Sequence, residues 1–529
     1  MWSWTGGYVG FHGGGGYGRT SFTDPYGPSI YGDIVNTPIF LAGGQIGYNW
    51  QSDGWVLGAE LDVSHAVSDG TNSCLAFSGN VVIATCKASP NVFVTGTARV
   101  GYTFGAQGRT LTYVKAGAAW QNSRGSIANN NEFHDEESSG FPQHTTQFDY
   151  GRFGWTVGFG VEQALTAAWS LKFEYDYMRF AGPHLATPPT MQSPPPAVIP
   201  ASASDLSSSY QVGKVGLNYH FGSGPSQPKW SHGSLFSDRA WAGHRAYPDD
   251  WSVEGGSRVW LSRGTFQWDY NLPPPMPGDG VIPSSRLTYH GLDGISGELF
   301  ARLDSPWGIF MKGNVGLGRF EKGKMNDEDS SVYGIGYSNT LSDQANGKFM
   351  YYTVDAGYDF LRDKAYKLGA FAGWAYYGQK SDSMGCAQIA SPVVGPCAVP
   401  VSKRLIGSQD TNWNAPRIGM SAEAMLLERW RVSADVAYLP RTDFTGRDNH
   451  LLRDATAFYD QRGRSGAGVQ VEGTLSYFLS KNFSIGVGAR YWAMWTGGDS
   501  DVSFNYGART PAKYSMERWG TFFQTSYKF

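Results

Sequence analysis

Two short motifs in the second half of the chain carry residue types that can activate water. Asp327 and Asp329 are two residues apart, and so are Asp448 and His450. Residues two apart in an extended strand point to the same side. If the motifs face one another, His450 can accept a proton from water while Asp448 stabilises the imidazolium and the opposite aspartates position the water. The pattern predicts a hydrolytic site, although such residues in exposed loops are more often simply solvated.

These motifs must be positioned by strands, because the composition is that of a β protein. Of the 529 residues, 15% are aromatic, only 16% are charged and 70 are glycine. The sequence contains no run of about 18 apolar residues that would predict a transmembrane helix. Only a closed barrel is then predicted to span a bilayer, since it pairs every backbone group. Alternating segments bounded by turns recur along the chain and predict an all-β fold.

An amphipathic strand ends on an aromatic residue twice, at Phe221 and at Phe529. Such endings are typical of outer-membrane barrels, so the sequence predicts two transmembrane antiparallel barrels in tandem. Eight alternating segments give an eight-stranded barrel over 1–221, and ten more give a ten-stranded barrel over 251–529. Residues 222–250, which contain several prolines and glycines, are predicted to be a linker. One barrel of eighteen strands, forming a wide pore, is the alternative.

The connections between predicted strands alternate between long and short in both halves. Outer-membrane barrels have tight periplasmic turns and longer extracellular loops. We therefore expect both termini and the linker in the periplasm, with the long loops facing the cell exterior. Both motifs then share the outer rim of the second barrel. No signal peptide precedes Met1, so the sequence is interpreted as the mature form of an exported protein.

The strand over 430–438 predicts which faces meet lipid. Its apolar residues alternate with charged ones, so the apolar face should meet lipid and the charged face should line the lumen. Continuing this alternation would turn Asp448 and His450 outward. The opposite placement requires a shift of phase, for which Pro440 or Gly446 is the candidate.

Further aromatic residues and one histidine of the second half are assigned structural roles. Tyr491, Trp492 and Trp495 lie near the outer end of a predicted strand, which favours an interfacial girdle. His290 is predicted to line the lumen rather than bind a ligand. Neither a metal site nor a cofactor site is predicted, because no HExxH motif is present.

Gly13, Gly15 and Gly18 match the spacing of a dinucleotide fingerprint. A phosphate site of that kind requires a strand followed by a helix, whereas these glycines lie in an alternating strand. They are predicted to relieve crowding or permit bending. Nucleic acid is also excluded as a partner, because the net charge is -3 and the basic residues do not cluster.

The four cysteines form two close pairs, Cys74 with Cys86 and Cys386 with Cys397. Neither pair has CxxC spacing or a neighbouring histidine. Disulfide bonds formed in an oxidising compartment are therefore predicted in preference to zinc binding.

The second half resembles the omptin family of outer-membrane proteases, which are ten-stranded barrels. GKMNDEDSS at 323–331 is similar to the family's first aspartate pair, and DNH at 448–450 to its Asp-x-His dyad. The resemblance implies peptide-bond cleavage that requires lipopolysaccharide. It gives catalytic roles to the same four residues, Asp327, Asp329, Asp448 and His450. Omptins have part of an acidic pocket where this chain has Gly446, so a preference for basic substrates is not implied.

The first half resembles the small eight-stranded surface barrels of alphaproteobacteria, which are related to the OmpA-like transmembrane domain. The similarity is carried by WTGGYVGFHGGGGYG at 4–18, GGQIGYNWQ at 43–51 and VGKVGLNYHF at 212–221. It implies a structural or surface-contact role. The expected partners are outer-membrane lipid, lipopolysaccharide and a possible peptide substrate. The alternative to an endopeptidase is a surface protein whose second barrel keeps the protease scaffold without turnover.

Overall fold

The protein is described from a computed structural model. It covers residues 2–27, 33–77, 81–105, 108–129, 144–192, 197–221, 250–272, 282–329, 337–390, 397, 399–427, 429–451, 457–502 and 509–529. These ranges contain no helix that combines the length and the apolar character needed to cross a bilayer. The predicted linker, apart from Asp250, lies outside the described residues.

The first half forms eleven strands within the described ranges. They are β1 (Gly6–Phe22), β2 (Ile34–Ser52), β3 (Trp55–Ser68), β4 (Gly70–Phe77), β5 (Val81–Phe104), β6 (Thr110–Asn129), β7 (Thr145–Ala164), β8 (Trp169–Thr187), β9 (Thr190–Gln192), β10 (Ala197–Ile199) and β11 (Ser202–Phe221). β3 and β4 pair with β5 one after the other and act as a single long strand. The ring β3-β2-β1-β11-β8-β7-β6-β5 closes through β3 and β5, while β9 and β10 form a separate hairpin.

The second half forms twelve strands within the described ranges. They are β12 (Ser252–Leu272), β13 (Ile282–Asp304), β14 (Ile309–Asp329), β15 (Ser338–Asp363), β16 (Tyr366–Ala390), β17 (Val401–Leu427), β18 (Trp430–Leu439), β19 (Asp443–His450), β20 (Ala457–Gly463), β21 (Ala467–Phe478), β22 (Phe483–Val502) and β23 (Arg509–Lys528). β18 and β19 follow one another along β17, and β20 and β21 follow one another along β22. These pairs give a ring of ten strand positions.

Each ring closes on itself through its own first and last strands. β1 pairs with β11, and β12 pairs with β23, all antiparallel. The predicted all-β fold with rings of eight and ten strands is confirmed. The alternative of one eighteen-stranded barrel is wrong. In such a barrel the outer edges of β1 and β11 would pair with strands of the second half, but here they pair with each other.

Ion pairs fill the lumen of the first barrel. Lys115 Nζ lies 2.7 Å from Glu174 Oε1, and Lys214 Nζ lies 3.1 Å from Asp62 Oδ2. All four side chains are buried. Buried charges of this kind must be paired, because an unpaired one is strongly destabilising. The side chains therefore occupy the space through which a solute would pass.

The lumen of the second barrel contains a charged layer and an aromatic layer. Arg490 Nη1 lies 2.6 Å from Glu298 Oε2 in the charged layer. Toward the long loops, the rings of Phe444 and Tyr514 stack with centroids 4.2 Å apart, and Trp413 lies 4.6 Å from Phe444. A polar cavity of about 120 Å³ remains within the charged layer. Side chains thus fill most of this lumen as well.

An apolar belt runs around the outward face of the second barrel. Leu299 is typical of its residues and is 64% exposed. Toward the long loops, the belt ends at the exposed ion pairs Arg263–Asp293 and Arg319–Glu321. β13 continues for about ten residues beyond Asp293, or roughly 30 Å of extended chain. The strands therefore build a tall rim outside the belt.

The two barrels pack side by side, which the sequence did not predict. Val215 and Leu217 of β11 have the outward parity of their strand, yet both are buried. They belong to one apolar cluster with Leu368, Ala422 and Val436 of the second barrel. Burying apolar surface of this kind stabilises contact between two folded units.

The prediction that the apolar face of β18 meets lipid is wrong for this reason. Val436 is only 4% exposed, and the ring of Phe40 from β2 stacks on Tyr438 with centroids 4.8 Å apart. This face is covered by the first barrel, whereas Trp430 at the other end of β18 remains partly exposed.

The predicted aromatic girdle near the end of β22 is also wrong. Tyr491 and Trp495 are buried in a cluster that includes residues of the first barrel, and the ring of Tyr17 lies 6.4 Å from that of Tyr491. Trp492 points the other way, into the second lumen, where its ring lies 5.6 Å from Trp260. Their neighbours are protein rather than the membrane interface.

Gly15 permits the close approach of the barrels. A Cβ atom at this position would lie 2.5 Å from Cγ2 of Val469 and 3.1 Å from Cγ2 of Val471, both in β21. A Cβ atom at Gly13, which has the same parity in β1, would have nothing within 4 Å. Of the three glycines for which crowding was predicted, Gly18 is crowded by Tyr210, at 2.5 Å from a Cβ, and Gly15 is crowded where one barrel meets the other.

We expect the substitution Gly15→Val to weaken the contact between the barrels, because the added side chain must displace Val469 and Val471. The measurement uses the full chain with a specific protease site placed within residues 222–249 and cut after purification in detergent. Size-exclusion chromatography should show the two halves of the unaltered protein eluting together. The halves of Gly15→Val should elute separately.

Gly13→Val is the matched control and should leave the halves together. Separation of the unaltered halves, or equal behaviour of the two glycine variants, would contradict the packing described here.

Candidate functional site

The Asp327 motif faces the lumen at the rim of the second barrel. Met325 of β14 belongs to the buried cluster inside this barrel. Asp327 and Asp329 follow at two and four residues, so they have the same inward parity. Asp327 is partly buried, and Asp329, the last residue of β14, is exposed.

The Asp448 motif faces the same lumen because the strand changes phase. Leu439 at the end of β18 and Phe444 near the start of β19 both lie in the internal cluster. Their spacing is odd, so the break at residues 440–442 has reversed which alternate positions point inward. Of the two residues proposed from sequence, Pro440 lies at this break. Asp448 and His450 consequently share the inward parity of Phe444.

Asp448 and His450 lie next to each other. Nε2 of His450 is 2.9 Å from Oδ2 of Asp448, with 27% of the histidine side chain exposed and the carboxylate buried. The distance is that of an ion pair, but the two atoms do not meet the angular requirements of a hydrogen bond. The histidine ring also lies 5.2 Å from the ring of Tyr459. The imidazole is thus held against a carboxylate and an aromatic wall while one edge reaches solvent.

Tyr289 of β13 lies near both motifs and was not found from sequence. Its hydroxyl lies 3.0 Å from Oγ of Ser383 in β16. Tyr289 is four residues beyond Asp293 and so lies outside the apolar belt. Burial, the charge of Asp448 and, more weakly, that of Asp327 raise the pKa of its hydroxyl well above the usual range. Tyr289 is therefore a neutral hydrogen-bonding group at neutral pH.

Asp327 and Asp448 both face the lumen at this rim, and both carboxylates are near enough to Tyr289 to raise the pKa of its hydroxyl. An aromatic side chain on the lumen face of a strand is ordinarily a packing residue, so the sequence carried no signal for Tyr289. The described residues contain no group of three or more His, Cys, Asp or Glu side chains that could hold a metal ion. Chemically, the mouth offers a solvent-accessible imidazole, carboxylates and a neutral phenol.

His290 is not a lumen residue, so that prediction is wrong. Its neighbour Tyr289 points inward, which turns His290 outward. There its Nε2 lies 2.7 Å from Oδ1 of Asn326. A histidine outside the mouth, on the strand that carries Tyr289, provides a useful comparison with His450.

Both predicted disulfide bonds are confirmed. The Cα atoms of Cys74 and Cys86 are 5.8 Å apart, and those of Cys386 and Cys397 are 5.7 Å apart. Cys74 and Cys86 lie in a small apolar core within the rim of the first barrel.

Comparison with known families places both halves among outer-membrane proteins. Residues 2–221 match the family described as outer membrane protein beta-barrel domain, and residues 284–522 match the family described as Protochlamydia outer membrane protein. The 31 kDa outer-membrane immunogenic protein of Brucella melitensis is 33% identical over 226 residues, which are 41% of this chain and 84% of that protein.

The solved structures that match this chain share little sequence with it. The outer membrane protease OmpT of Escherichia coli is 14% identical with a TM-score of 0.44, over 53% of this chain and 97% of its own. A Pseudomonas aeruginosa FadL homologue is 11% identical with a TM-score of 0.21, over 99% of this chain and 90% of its own. Similarity at this level has no bearing on function.

Proposed function

This chain belongs to the family of outer membrane beta-barrel proteins that includes the 31 kDa immunogenic protein of Brucella, and from that membership we propose that it is a non-catalytic surface-contact protein. It is a protein of the bacterial outer membrane. The proposed role is to present two folded rims at the cell surface rather than to move solutes.

The occupied lumens are the observation that carries this proposal. Ion pairs such as Lys115–Glu174 occupy the first barrel, and the Arg490–Glu298 pair lies beneath stacked aromatic rings in the second. Barrels of eight or ten strands leave little interior beyond what side chains occupy. Their strands nevertheless continue well past the apolar belt, so most of the surface free to meet a partner lies on the rims.

The proposed orientation places the long-loop rims outside the cell and the tight turns in the periplasm. Its support is the general arrangement of outer-membrane barrels, in which short turns are periplasmic and long loops extracellular. Lys364 and Ala365 form one of the short turns, and the exposed Val198 of the β9–β10 hairpin lies on the long-loop side of the first barrel.

We expect Val198→Cys to react with a membrane-impermeant maleimide on intact cells, because the hairpin would face the medium. Lys364→Cys, exposed at a short turn, is the matched control and should react only after the outer membrane is permeabilised. Labelling is measured by the mass shift of the purified protein. The reverse pattern would overturn the orientation.

We expect the purified full chain to produce no conductance steps in planar lipid bilayers, because paired charges and aromatic rings occupy both lumens. A wide-pore porin inserted into the same bilayers shows that insertion is detectable, and folding of the sample is checked by its heat-dependent migration in electrophoresis. Reproducible large steps from the folded chain would contradict the proposed contact role and favour a pore.

A second candidate function is endopeptidase activity at the mouth of the second barrel. The close Asp448–His450 pair, together with the influence of Asp327 and Asp448 on the same tyrosine, supports it. In this candidate mechanism His450 takes a proton from a water molecule, and Asp448 stabilises the resulting imidazolium. Asp327 and Asp329 position the water, which attacks the carbonyl carbon of a peptide; the C–N bond then breaks, and the imidazolium of His450 gives its proton to the leaving amine.

The endopeptidase candidate predicts cleavage of a diverse peptide library by the chain refolded with lipopolysaccharide, measured by mass spectrometry. His450→Ala should reduce the rate by about 100-fold or more, the usual contribution of a general base. His290→Ala is the matched control and should cleave normally, because His290 faces away from the mouth. No cleavage by the unaltered folded protein would eliminate this candidate and leave the contact role.

A further inference from the structure

A row of alternating charges crosses the outward face of the second barrel near its rim. Asp269 of β12 is paired in register with Lys513 of β23 on one side and with Arg286 of β13 on the other. Arg286 is in turn paired with Glu328 of β14. We call these four residues the charge row. Each has outward parity, because the residues next to them along the strands, such as Leu287, lie in the internal cluster.

Three of the four residues of the charge row are buried although they face outward, and Lys513 is partly buried. Asp269 and Arg286 are each 4% exposed, and Glu328 is 8% exposed. Nε of Arg286 donates to Oδ1 of Asp269 at 2.7 Å, and the hydroxyl of Tyr337 donates to Oε1 of Glu328 at 2.6 Å. Removing charges from water is costly unless hydrogen bonds replace the lost hydration. Another part of the protein must therefore cover the row and provide polar partners.

The first barrel provides this cover through Asp69, Thr71 and Ser73. These residues occupy alternate positions along the β3–β4 edge, so all three point toward the second barrel. Nζ of Lys513 lies 2.8 Å from Oδ1 of Asp69 and donates to Oγ1 of Thr71 at 2.6 Å. The Gln267 side chain of β12 also donates to the carbonyl of Thr71 at 3.0 Å.

Ser73 joins the two charges at the far end of the row. Its Oγ accepts a hydrogen bond from Nη1 of Arg286 at 2.5 Å, and the same hydroxyl is near enough to the Glu328 carboxylate to favour its charged form. Hydrogen bonds to charged groups are about twice as strong as those between neutral groups. One serine of the first barrel thus contacts both β13 and β14.

The edge that carries Ser73 is itself held in place. The next residue, Cys74, is bonded to Cys86 and fully buried. The carbonyl of Ser73 accepts a hydrogen bond from the amide of Asp33 at 3.0 Å, and the carboxylate of Asp33 accepts one from the amide of Leu75 at 2.7 Å. The disulfide and these bonds, all within the first barrel, hold Ser73 in position.

We propose that residues 69–73 of the first barrel are a built-in docking edge that binds the charge row and holds the mouth of the second barrel in place. Glu328 connects this contact to the mouth, because Asp327 and Asp329 lie on either side of it in β14 and have the opposite parity. Fixing Glu328 from outside restricts the positions of both aspartates. The proposal concerns the position of the mouth and holds whether or not the mouth hydrolyses anything.

The test is amide hydrogen exchange of β13 and β14 in the folded full chain, followed by mass spectrometry of peptides that contain residues 285–290 and 324–329. Exchange reports local opening, which polar contacts to buried charges suppress. Ser73→Ala should increase exchange in these peptides about tenfold, because Arg286 and Glu328 both lose their shared partner. Peptides from the short-turn ends of the same strands should be unchanged.

Arg263→Gln is the matched control, because Arg263 belongs to an exposed ion pair on β12 and β13 outside the docking edge. It should leave exchange at the rim unchanged. The Ser73→Ala and Arg286→Gln effects should be less than additive, since both substitutions remove the same bond. Thr71→Val provides a second disruption if Arg286→Gln fails to fold. Normal exchange in Ser73→Ala, or an equal increase in Arg263→Gln, would overturn the proposal.

Discussion

Backbone pairing is the constraint on which this architecture depends. A strand in apolar surroundings must pair the amide and carbonyl groups along both of its edges, and a sheet does so for all of its strands only by closing on itself. β1 meets β11 and β12 meets β23, so neither ring leaves an edge for the other. Closure also separates the faces of every strand. Polar side chains such as Lys115 and Arg490 point into the lumens, and residues such as Leu299 form the belt.

The same closure makes the outward faces available for contact between the barrels. At the level of the belt, Val215 and Leu217 pack against the second barrel, and Gly15 leaves room for Val469. Nearer the rims, polar groups of the docking edge meet the charge row instead. The contact between the barrels is apolar at the level of the belt and polar near the rims, where the outward faces carry charged residues. Packing alone suffices where the faces are apolar, but buried charges require specific hydrogen-bond partners.

The mouth of the second barrel shows how a small local irregularity can decide chemistry. Had β18 continued without interruption, Asp448 would have pointed outward. The break at residues 440–442 reverses the parity, so Asp448 and His450 join Tyr289 and Asp327 in one polar opening. Burial and the nearby carboxylates hold the pKa of Tyr289 well above its usual range. The opening therefore brings together a buried phenol and a partly exposed imidazole.

The sequence alone determined what repeats along the chain. Strand alternation, the endings at Phe221 and Phe529 and the cysteine spacing each follow from local rules, so the two rings and both disulfides were predictable. Motif spacing also identified the Asp448–His450 pair. Tertiary structure decided which outward faces meet protein. The alternation of β18 is the same whether Val436 meets lipid or the first barrel, and nothing near Ser73 in sequence indicates Arg286. Local patterns specify which side of a strand is apolar or polar, whereas contacts between distant strands decide what covers it.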